Sequence, residues 1–295
     1  MAPGGTASWP QCHGRLPATG MGVKPMMFRR PLLALGAATA LSSALPALAQ
    51  EEPRRAERWA DLRGLIFGDR LVEEVAEATL AITAPPRALD AGAVPVSIAA
   101  GPDLAPSVRR LSLVIDENPS PLAAVFLAGP GGLRQVGTRV RIDAYTFLHA
   151  VAETADGRLL MTRRFIKASG GCSAPMGSDL RAARERMGRA RLSLPEGPPV
   201  AGRPVPVEVA LSHPNTSGLQ IDQLTRLSIP AEFVRQLRVT YAGVPVLEVE
   251  SDISIAENPT FGFLLSGEPG GELVLEAEDN RDRRFTQRWT LQPAG

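Results

Sequence analysis

Short runs of alternating or compactly apolar residues recur along most of the chain, and turn residues separate them. In the first half these runs cover 94–98, 110–115, 125–127, 139–149 and 158–167, and in the second half 204–209, 237–241, 246–249, 261–265, 272–278 and 285–291. Such patterns are typical of half-buried strands, and short strands at this spacing are typical of antiparallel β-sandwiches. The sequence therefore predicts an all-β fold of two immunoglobulin-like antiparallel β-sandwiches.

A short echo between the halves supports this division. Residues 115–119 and 255–259 share the letters Glu-Asn-Pro, and each segment precedes an apolar strand. Proline after asparagine fits a turn before a strand whose first amide need not bond. So short a match also arises by chance, but together with the matched strand order it indicates two related modules. The abundant prolines and glycines, 27 and 28 in number, likewise suit two small domains better than one.

Helical patterns occur only at the edges of these modules. Residues 57–67 are spaced to place Trp59, Leu62 and Ile66 on one helix face. A second helix is predicted over 178–189 with Ser178 as its N-cap, and its arginines are interpreted as a solvated face rather than a site for an acidic partner. An extended linker over 195–206 follows it.

These patterns define four regions. We predict an export signal over 1–49, a first sandwich with an N-terminal helix over 50–168, and a second sandwich over 201–295. Residues 169–200 between the sandwiches form a glycine-containing cysteine loop, a short connector helix and a linker.

The predicted export signal has the order of a secretory leader. Arg29 and Arg30 precede an apolar stretch that closes with Ala-Leu-Ala at 47–49, and no acidic residue occurs before Glu51. We therefore expect cleavage after Ala49 and a periplasmic protein, exported through the Sec or the twin-arginine route. A membrane anchor is the competing interpretation, and a start at a later methionine would shorten the leader.

The charge balance of the exported chain argues against several partners. Four of the 32 basic residues lie in the leader, which leaves 28 basic against 31 acidic residues. This balance gives no reason to expect nucleic acid or, after signal removal, a membrane as a partner. No phosphate-binding glycine loop or nucleotide fingerprint is recognisable, so no cofactor is predicted.

Cys172 is the one cysteine left after removal of the leader. In an oxidising compartment a leftover cysteine indicates a reactive thiol or an intermolecular partner. Gly170 and Gly171 before it give the backbone wide freedom, which predicts a loop that presents the sulfur to solvent. The alternative is a buried structural cysteine. Lys167, five residues earlier, is a candidate for supporting a thiolate.

No catalytic or metal-binding pattern accompanies this cysteine. A metal site needs several clustered ligands, and His149, His213 and Cys172 are widely spaced, so no metal is predicted. His149 is in phase with the apolar residues of a strand, which predicts a hydrogen-bonded sheet histidine, whereas His213 falls in a predicted loop. With no catalytic residue recognisable, we expect a carrier of a substrate rather than an enzyme.

These residues resemble SoxYZ, the sulfur-compound carriers of periplasmic sulfur oxidation, and specifically the fused SoxYZ-like carriers associated with quinoprotein dehydrogenases. The first half, with a strand ending at 165–167 before the Gly-Gly-Cys segment 170–172, resembles SoxY. The second half resembles SoxZ through the segments 213–214, 216–219 and 256–263.

The resemblance implies roles for the residues of the loop. Cys172 would be the covalent attachment site of a sulfur intermediate, with Gly170 and Gly171 as the hinge of its arm. The implied partners are periplasmic sulfur-oxidation enzymes or a quinoprotein dehydrogenase, with intramolecular docking of the two sandwiches. The chain departs from the family pattern because Ser173-Ala174-Pro175 replaces two glycines after the cysteine. The second sandwich also tethers the loop at both ends, so it explores less space than a free arm.

Two functions from different classes follow. The leading hypothesis is a periplasmic carrier whose Cys172 takes up a sulfur-containing group by disulfide-type exchange or oxidative conjugation and presents it to partner enzymes. The alternative is a non-covalent adaptor of a periplasmic quinoprotein dehydrogenase, with Cys172 incidental. A thiol enzyme acting by itself is a third hypothesis.

Overall fold

The computed structural model describes residues 44–177 and 179–292 of this chain. Residues Glu51–Gly295 are grouped as one compact unit. Helix α1 (Ala44–Phe67) begins before Glu51, and the rest of the predicted export signal lies outside the described residues. Within the described part of the chain, no helix combines the length and the apolar character needed to span a membrane.

The described residues confirm the predicted all-β fold. In the first half the strands are β1 (Val72–Glu74), β2 (Leu80–Thr83), β3 (Val94–Ala100), β4 (Val108–Ile115), β5 (Leu122–Ala128), β6 (Gln135–Val140), β7 (Thr146–Thr154) and β8 (Leu159–Ile166). The second half follows helix α2 (Leu180–Glu185) and contains β9 (Ala190–Ser193), β10 (Val205–Leu211), β11 (Val234–Tyr241), β12 (Val244–Ser251), β13 (Thr260–Leu265), β14 (Glu272–Asp279) and β15 (Arg284–Thr290).

Both sheets run through both halves of the chain. One sheet has the order β1-β8-β7-β4-β5-β12-β11-β14-β15, and the other has the order β2-β3-β6-β13-β10-β9. The halves join where β5 pairs antiparallel with β12 and where β6 pairs antiparallel with β13. Besides the connecting segment 169–200, two antiparallel strand pairs therefore join the halves through backbone hydrogen bonds.

The larger of two hydrophobic clusters in the described residues contains side chains from both sheets. Several strands contribute alternate residues to it, as in β10, where Val205, Val207 and Val209 are buried and the residues between them are partly exposed. Phe126 of β5 and Phe261 of β13 meet edge to face with ring centroids 6.3 Å apart. Because these two rings come from different halves, the core is continuous across the junction.

One predicted strand is divided in the structure. The run 139–149 splits into the end of β6 and the start of β7, with a turn at 141–145 between them. Asn118 causes the break: its Nδ2 donates to the carbonyl of Arg141 at 2.7 Å, and its Oδ1 accepts from the amide of Asp143 at 2.9 Å. This side chain takes backbone groups away from the ladder, as asparagine does in turns.

The two helices differ from their predicted bounds. The predicted helix over 57–67 is confirmed as the end of the longer α1, and Leu62 is buried. Helix α2 is shorter than predicted, and its N-cap is Asp179, whose Oδ1 accepts from the amide of Ala182 at 3.0 Å. Gly188, at φ +82° and against the Phe285 ring, turns the chain toward β9, a strand that the sequence did not predict.

Candidate functional site

Cys172 lies in the loop between β8 and α2, and its side chain is buried with 0% of its surface exposed. The expectation that this loop presents the sulfur to solvent is wrong for the state that the structure describes, and the alternative of a buried cysteine applies to it. The reason is tertiary: the loop folds back on both halves of the chain and forms hydrogen bonds with each.

The first half holds the residues just before the thiol through backbone groups. Gly170 donates its amide to the carbonyl of Asp143 at 2.8 Å, and Gly171 donates to the carbonyl of Ile142 at 2.9 Å. Ile142 in turn donates to the carbonyl of Ala91 at 2.9 Å. The turn that divides the predicted strand 139–149 is thus the surface on which the cysteine loop rests.

Both glycines are required by this geometry, for different reasons. Gly170 has φ +77°, a backbone conformation that other residues adopt only with strain. Gly171 approaches the backbone so closely that a Cβ atom there would overlap the carbonyl oxygen of Ala91 and lie 2.7 Å from that of Ile142. Their role as a hinge remains a prediction.

The second half holds the residues at and after the thiol through side chains, of which Ser217 and Gln220 bond nearest to the sulfur. The Ser217 hydroxyl donates to the carbonyl of Cys172, and the Gln220 amide donates from Nε2 to the carbonyl of Ala174 at 2.9 Å. Gln220 also accepts at Oε1 from the amide of Ser217 at 3.1 Å. The thiol of the SoxY-like half is therefore enclosed with the help of side chains from the other half.

The closed loop keeps the thiol protonated. Burial raises the pKa of Cys172 from about 9 to about 12, the charge of Asp143 and a hydrogen bond to its carboxylate act in the same direction, and the Arg141 guanidinium opposes them. Because the thiolate is the nucleophilic form of cysteine, this shift and the burial of the sulfur both disfavour reaction of the thiol while the loop is closed.

The cation beside the thiol is Arg141 and not Lys167. Lys167 is exposed at the end of β8, where its backbone pairs with Arg87 in a single bridge. Arg141 is buried and donates from its guanidinium to the carbonyls of Ile253 and Ile255. The predicted thiolate-supporting role of Lys167 therefore has no support in this geometry, whereas Arg141 links the site to the second half.

His149 is a buried sheet histidine, as predicted. Its Nε2 lies 3.0 Å from Oδ2 of Asp116, and its Nδ1 lies 3.3 Å from the sulfur of Met161. The indole of Trp59 from α1 stacks on the ring with centroids 3.7 Å apart. These contacts fix the end of α1 on the first half and engage both ring nitrogens.

His213 is also buried, although the sequence placed it in a loop. Its Nδ1 accepts from the amide of Asn215 at 3.0 Å, and its Nε2 lies 3.3 Å from Oδ2 of Asp279. Burial lowers the pKa of His213, and Asp279 opposes the shift without cancelling it. A neutral imidazole with both nitrogens engaged has a structural role here.

Sequence reasoning missed four residues that build this site. Arg141 and Asp143 lie within the predicted strand 139–149, where Arg-Ile-Asp-Ala interrupts the apolar alternation and could have indicated a break. Ser217 and Gln220 follow a Pro-Asn pair, which indicates a turn, but no pattern in a single sequence pairs them with residues 172 and 174. Among the described residues there is also no group of three or more His, Cys, Asp or Glu side chains placed to hold a metal ion.

A cavity lined by described residues lies away from Cys172. It has a volume of about 820 Å³ and opens at the other end of the seam between the halves, among Gly129, Tyr241, Pro245 and Phe263. The cysteine loop instead rests on residues that follow the end of β6. The cavity is therefore no part of the thiol site.

Comparison with protein-family models divides the chain as its two halves do. Residues 65–172 match the model of sulfur oxidation protein SoxY, and residues 195–290 match that of sulphur oxidation protein SoxZ. The first match ends at Cys172. A search of curated proteins found no match.

Solved structures similar to the chain include one of the SoxY family. The sulfur carrier protein SoxY from Chlorobium limicola f thiosulfatophilum is 26% identical, with a TM-score of 0.35 over 40% of this chain and 98% of that one. A β-glycosidase from Bacteroides vulgatus is 10% identical, with a TM-score of 0.21 over 72% of this chain and 24% of its own. These scores are too low to carry an argument, so the family assignment rests on the two family models. The chain belongs to the SoxYZ family of sulfur oxidation proteins, with the SoxY and SoxZ domains fused in one polypeptide.

Proposed function

We propose that this chain is a periplasmic carrier that holds a sulfur-containing intermediate covalently on Cys172 and presents it to partner enzymes, without turnover of its own. The observation that carries the proposal is the position of Cys172, which ends the matched SoxY domain in a Gly-Gly-Cys loop. The predicted export signal supports the compartment, and the family supports sulfur-oxidation enzymes as partners.

Attachment of thiosulfate illustrates the chemistry. The thiol and thiosulfate join through a new sulfur–sulfur bond, and the thiol releases one proton while the pair gives up two electrons. The product is a cysteine S-thiosulfonate, and an electron-accepting partner enzyme takes the electrons. Hydrolysis of the terminal sulfonate by a second partner would release sulfate and leave a sulfur atom on the cysteine.

This chemistry requires the cysteine loop to open. A buried thiol with a pKa of about 12 carries almost no thiolate at neutral pH, and a partner's active site cannot reach it through the surrounding backbone. The loop remains joined to β8 and to α2, so the length of chain between these two elements limits how far Cys172 can move. We therefore expect partners that accept a short, doubly tethered loop.

The burial of Cys172 is also consistent with a second candidate function, that of a non-covalent adaptor. An enclosed, protonated thiol also fits an adaptor of a quinoprotein dehydrogenase in which the cysteine only packs. The two candidates predict different effects of substituting Cys172. A carrier would no longer hold a sulfur-containing intermediate, whereas an adaptor would still bind the quinoprotein dehydrogenase.

The test is the intact mass of the protein isolated from the periplasm, before and after reductant, together with peptide mapping. A reducible sulfur adduct confined to Cys172, and absent from Cys172→Ser, is the expected result. An unmodified thiol in cells grown on thiosulfate, combined with full function of Cys172→Ser, would refute the carrier. Retention of a quinoprotein dehydrogenase by Cys172→Ser on co-purification would then support the adaptor.

A further inference from the structure

We propose that Ser217 and Gln220 are positioning residues that keep the cysteine loop closed, so that the SoxZ-like half sets how often the thiol of the SoxY-like half can react. The proposal deepens the carrier function and rests on it for its biological meaning. Its physical content, control of one thiol by two side chains of the other half, is testable without any partner enzyme.

The two side chains bond the loop immediately at and after the thiol. Before the thiol, Gly170 and Gly171 donate backbone amides to the turn that follows β6. After it, Pro175 has no amide to donate, the Ser173 hydroxyl donates within the loop to the carbonyl of Gly170 at 3.4 Å, and the next bond from the described loop to the second half is from the amide of Gly177 to the carboxylate of Glu257 at 3.0 Å. The bonds from Ser217 and Gln220 to the carbonyls of residues 172 and 174 therefore hold the stretch between the thiol and Gly177.

Both side chains are held ready for this contact. Ser217 and Gln220 are 3% and 1% exposed, and the amide of Ser217 donates to Oε1 of Gln220, which directs Nε2 of Gln220 toward the loop. The backbone of Gln220 is itself fixed, because its carbonyl accepts from the amide of Ile229 at 2.9 Å. Preorganised donors of this kind lose little freedom on bonding the loop.

Removing either donor should release the loop without unfolding the sheets. The backbone bonds of Gly170 and Gly171 and the ladders between the halves do not involve these side chains. The closed loop would instead keep a buried carbonyl without its partner, which costs more than the bond contributed. The open form, whose carbonyls bond water, carries no such cost.

The rate of thiol modification reports the open population directly. Iodoacetamide alkylates the thiolate, forming a thioether and releasing iodide, and the closed loop holds a protonated, enclosed thiol. When opening and closing are fast, the observed rate is the open fraction multiplied by the rate for a free cysteine. Leaving one buried carbonyl without its partner should raise the open fraction at least about fivefold.

The experiment measures alkylation of Cys172 in the isolated protein by peptide mapping across a pH series. Ser217→Ala and Gln220→Met should each react several times faster than the natural protein, and the double variant faster than either. Gln220→Met keeps the length of the side chain and removes only its hydrogen bonds. The ratio of variant to natural rate should be constant with pH, because every form reacts through the same open loop.

Ser251→Ala is the matched control, since the Ser251 hydroxyl also donates to a backbone carbonyl, that of Val234 at 2.6 Å. Its alkylation rate should equal that of the natural protein. The proposal is overturned if Ser217→Ala and Gln220→Met react no faster than Ser251→Ala, or if their acceleration is fully explained by loss of global stability in urea. If both variants react faster but no sulfur adduct forms in cells, the control of loop closure by Ser217 and Gln220 is supported and the carrier function is refuted. Failure of this proposal and failure of the carrier function are therefore distinguishable.

Discussion

Gly171 lies so close to Ala91 that a Cβ atom at position 171 would overlap the Ala91 carbonyl oxygen. The first half therefore accommodates the cysteine loop only with glycine before the thiol. Gly171→Ala should push the loop out of its closed position and speed alkylation of Cys172. Overpacking of this kind costs about 1–3 kcal/mol of stability, which urea unfolding would detect.

Gly170→Ala separates backbone strain from overlap. Gly170 has φ +77° with open space around it, as has Gly157 at φ +85° in a distant turn. Alanine at either position should cost about 1–2 kcal/mol through the left-handed conformation. Gly157→Ala is the control, because its strain arises far from the cysteine loop. If the rate of Cys172 alkylation rises no more in Gly171→Ala than in Gly157→Ala, the argument that a Cβ atom at position 171 overlaps the Ala91 carbonyl is contradicted.

Asp143→Asn should lower the pKa of the buried thiol. The negative charge of Asp143 disfavours a neighbouring thiolate, and its carboxylate accepts a hydrogen bond that holds the thiol protonated. The amide lacks the charge, while the backbone bonds of residue 143 remain. Thiolate absorbance in the ultraviolet during an alkaline titration measures the shift. Asp156→Asn, an exposed change in the turn before β8, is the control, and an unchanged pKa in Asp143→Asn would count against this account.

The stability of the protein should fall in alkaline solution because of Cys172. The thiol has a pKa of about 12 when folded and about 9 when unfolded, so the unfolded chain loses its proton first as the pH rises. The resulting stabilisation of the folded state is complete below pH 9 and is lost between about pH 9 and 12. Urea unfolding over this range should show a smaller decline for Cys172→Ser, and parallel declines would refute the assignment.

Cleavage of the connector should leave the halves associated. A protease site inserted in the turn at Gly197 severs the chain between β9 and β10, but β9 stays paired with β10, β5 with β12 and β6 with β13, over the continuous core. The cut protein should elute as one species of unchanged size in gel filtration. Elution as two separate fragments would show that the covalent link, and not the ladders, holds the halves together. An uncut sample carrying the same insertion is the control.

The sequence determined the fold class by itself. Alternating strands have a period of two that local composition reveals, so most strands, including β10 and β13, could be predicted within a few residues. The Gly-Gly-Cys segment 170–172 also marked Cys172 as the residue of interest, because its resemblance to SoxY depends on adjacent residues.

The tertiary structure decided whether that thiol is available. Burial of Cys172 depends on Ile142, Ser217 and Gln220, which are 30 to 48 positions away in sequence, and on a break in a predicted strand that the Asn118 side chain creates. The pairing of β5 with β12 could not be predicted from the sequence either, because the residues of a strand do not indicate which distant strand it pairs with. Local patterns specify strands and turns, whereas the contacts between distant residues that set exposure, pKa and register arise only when the chain has folded.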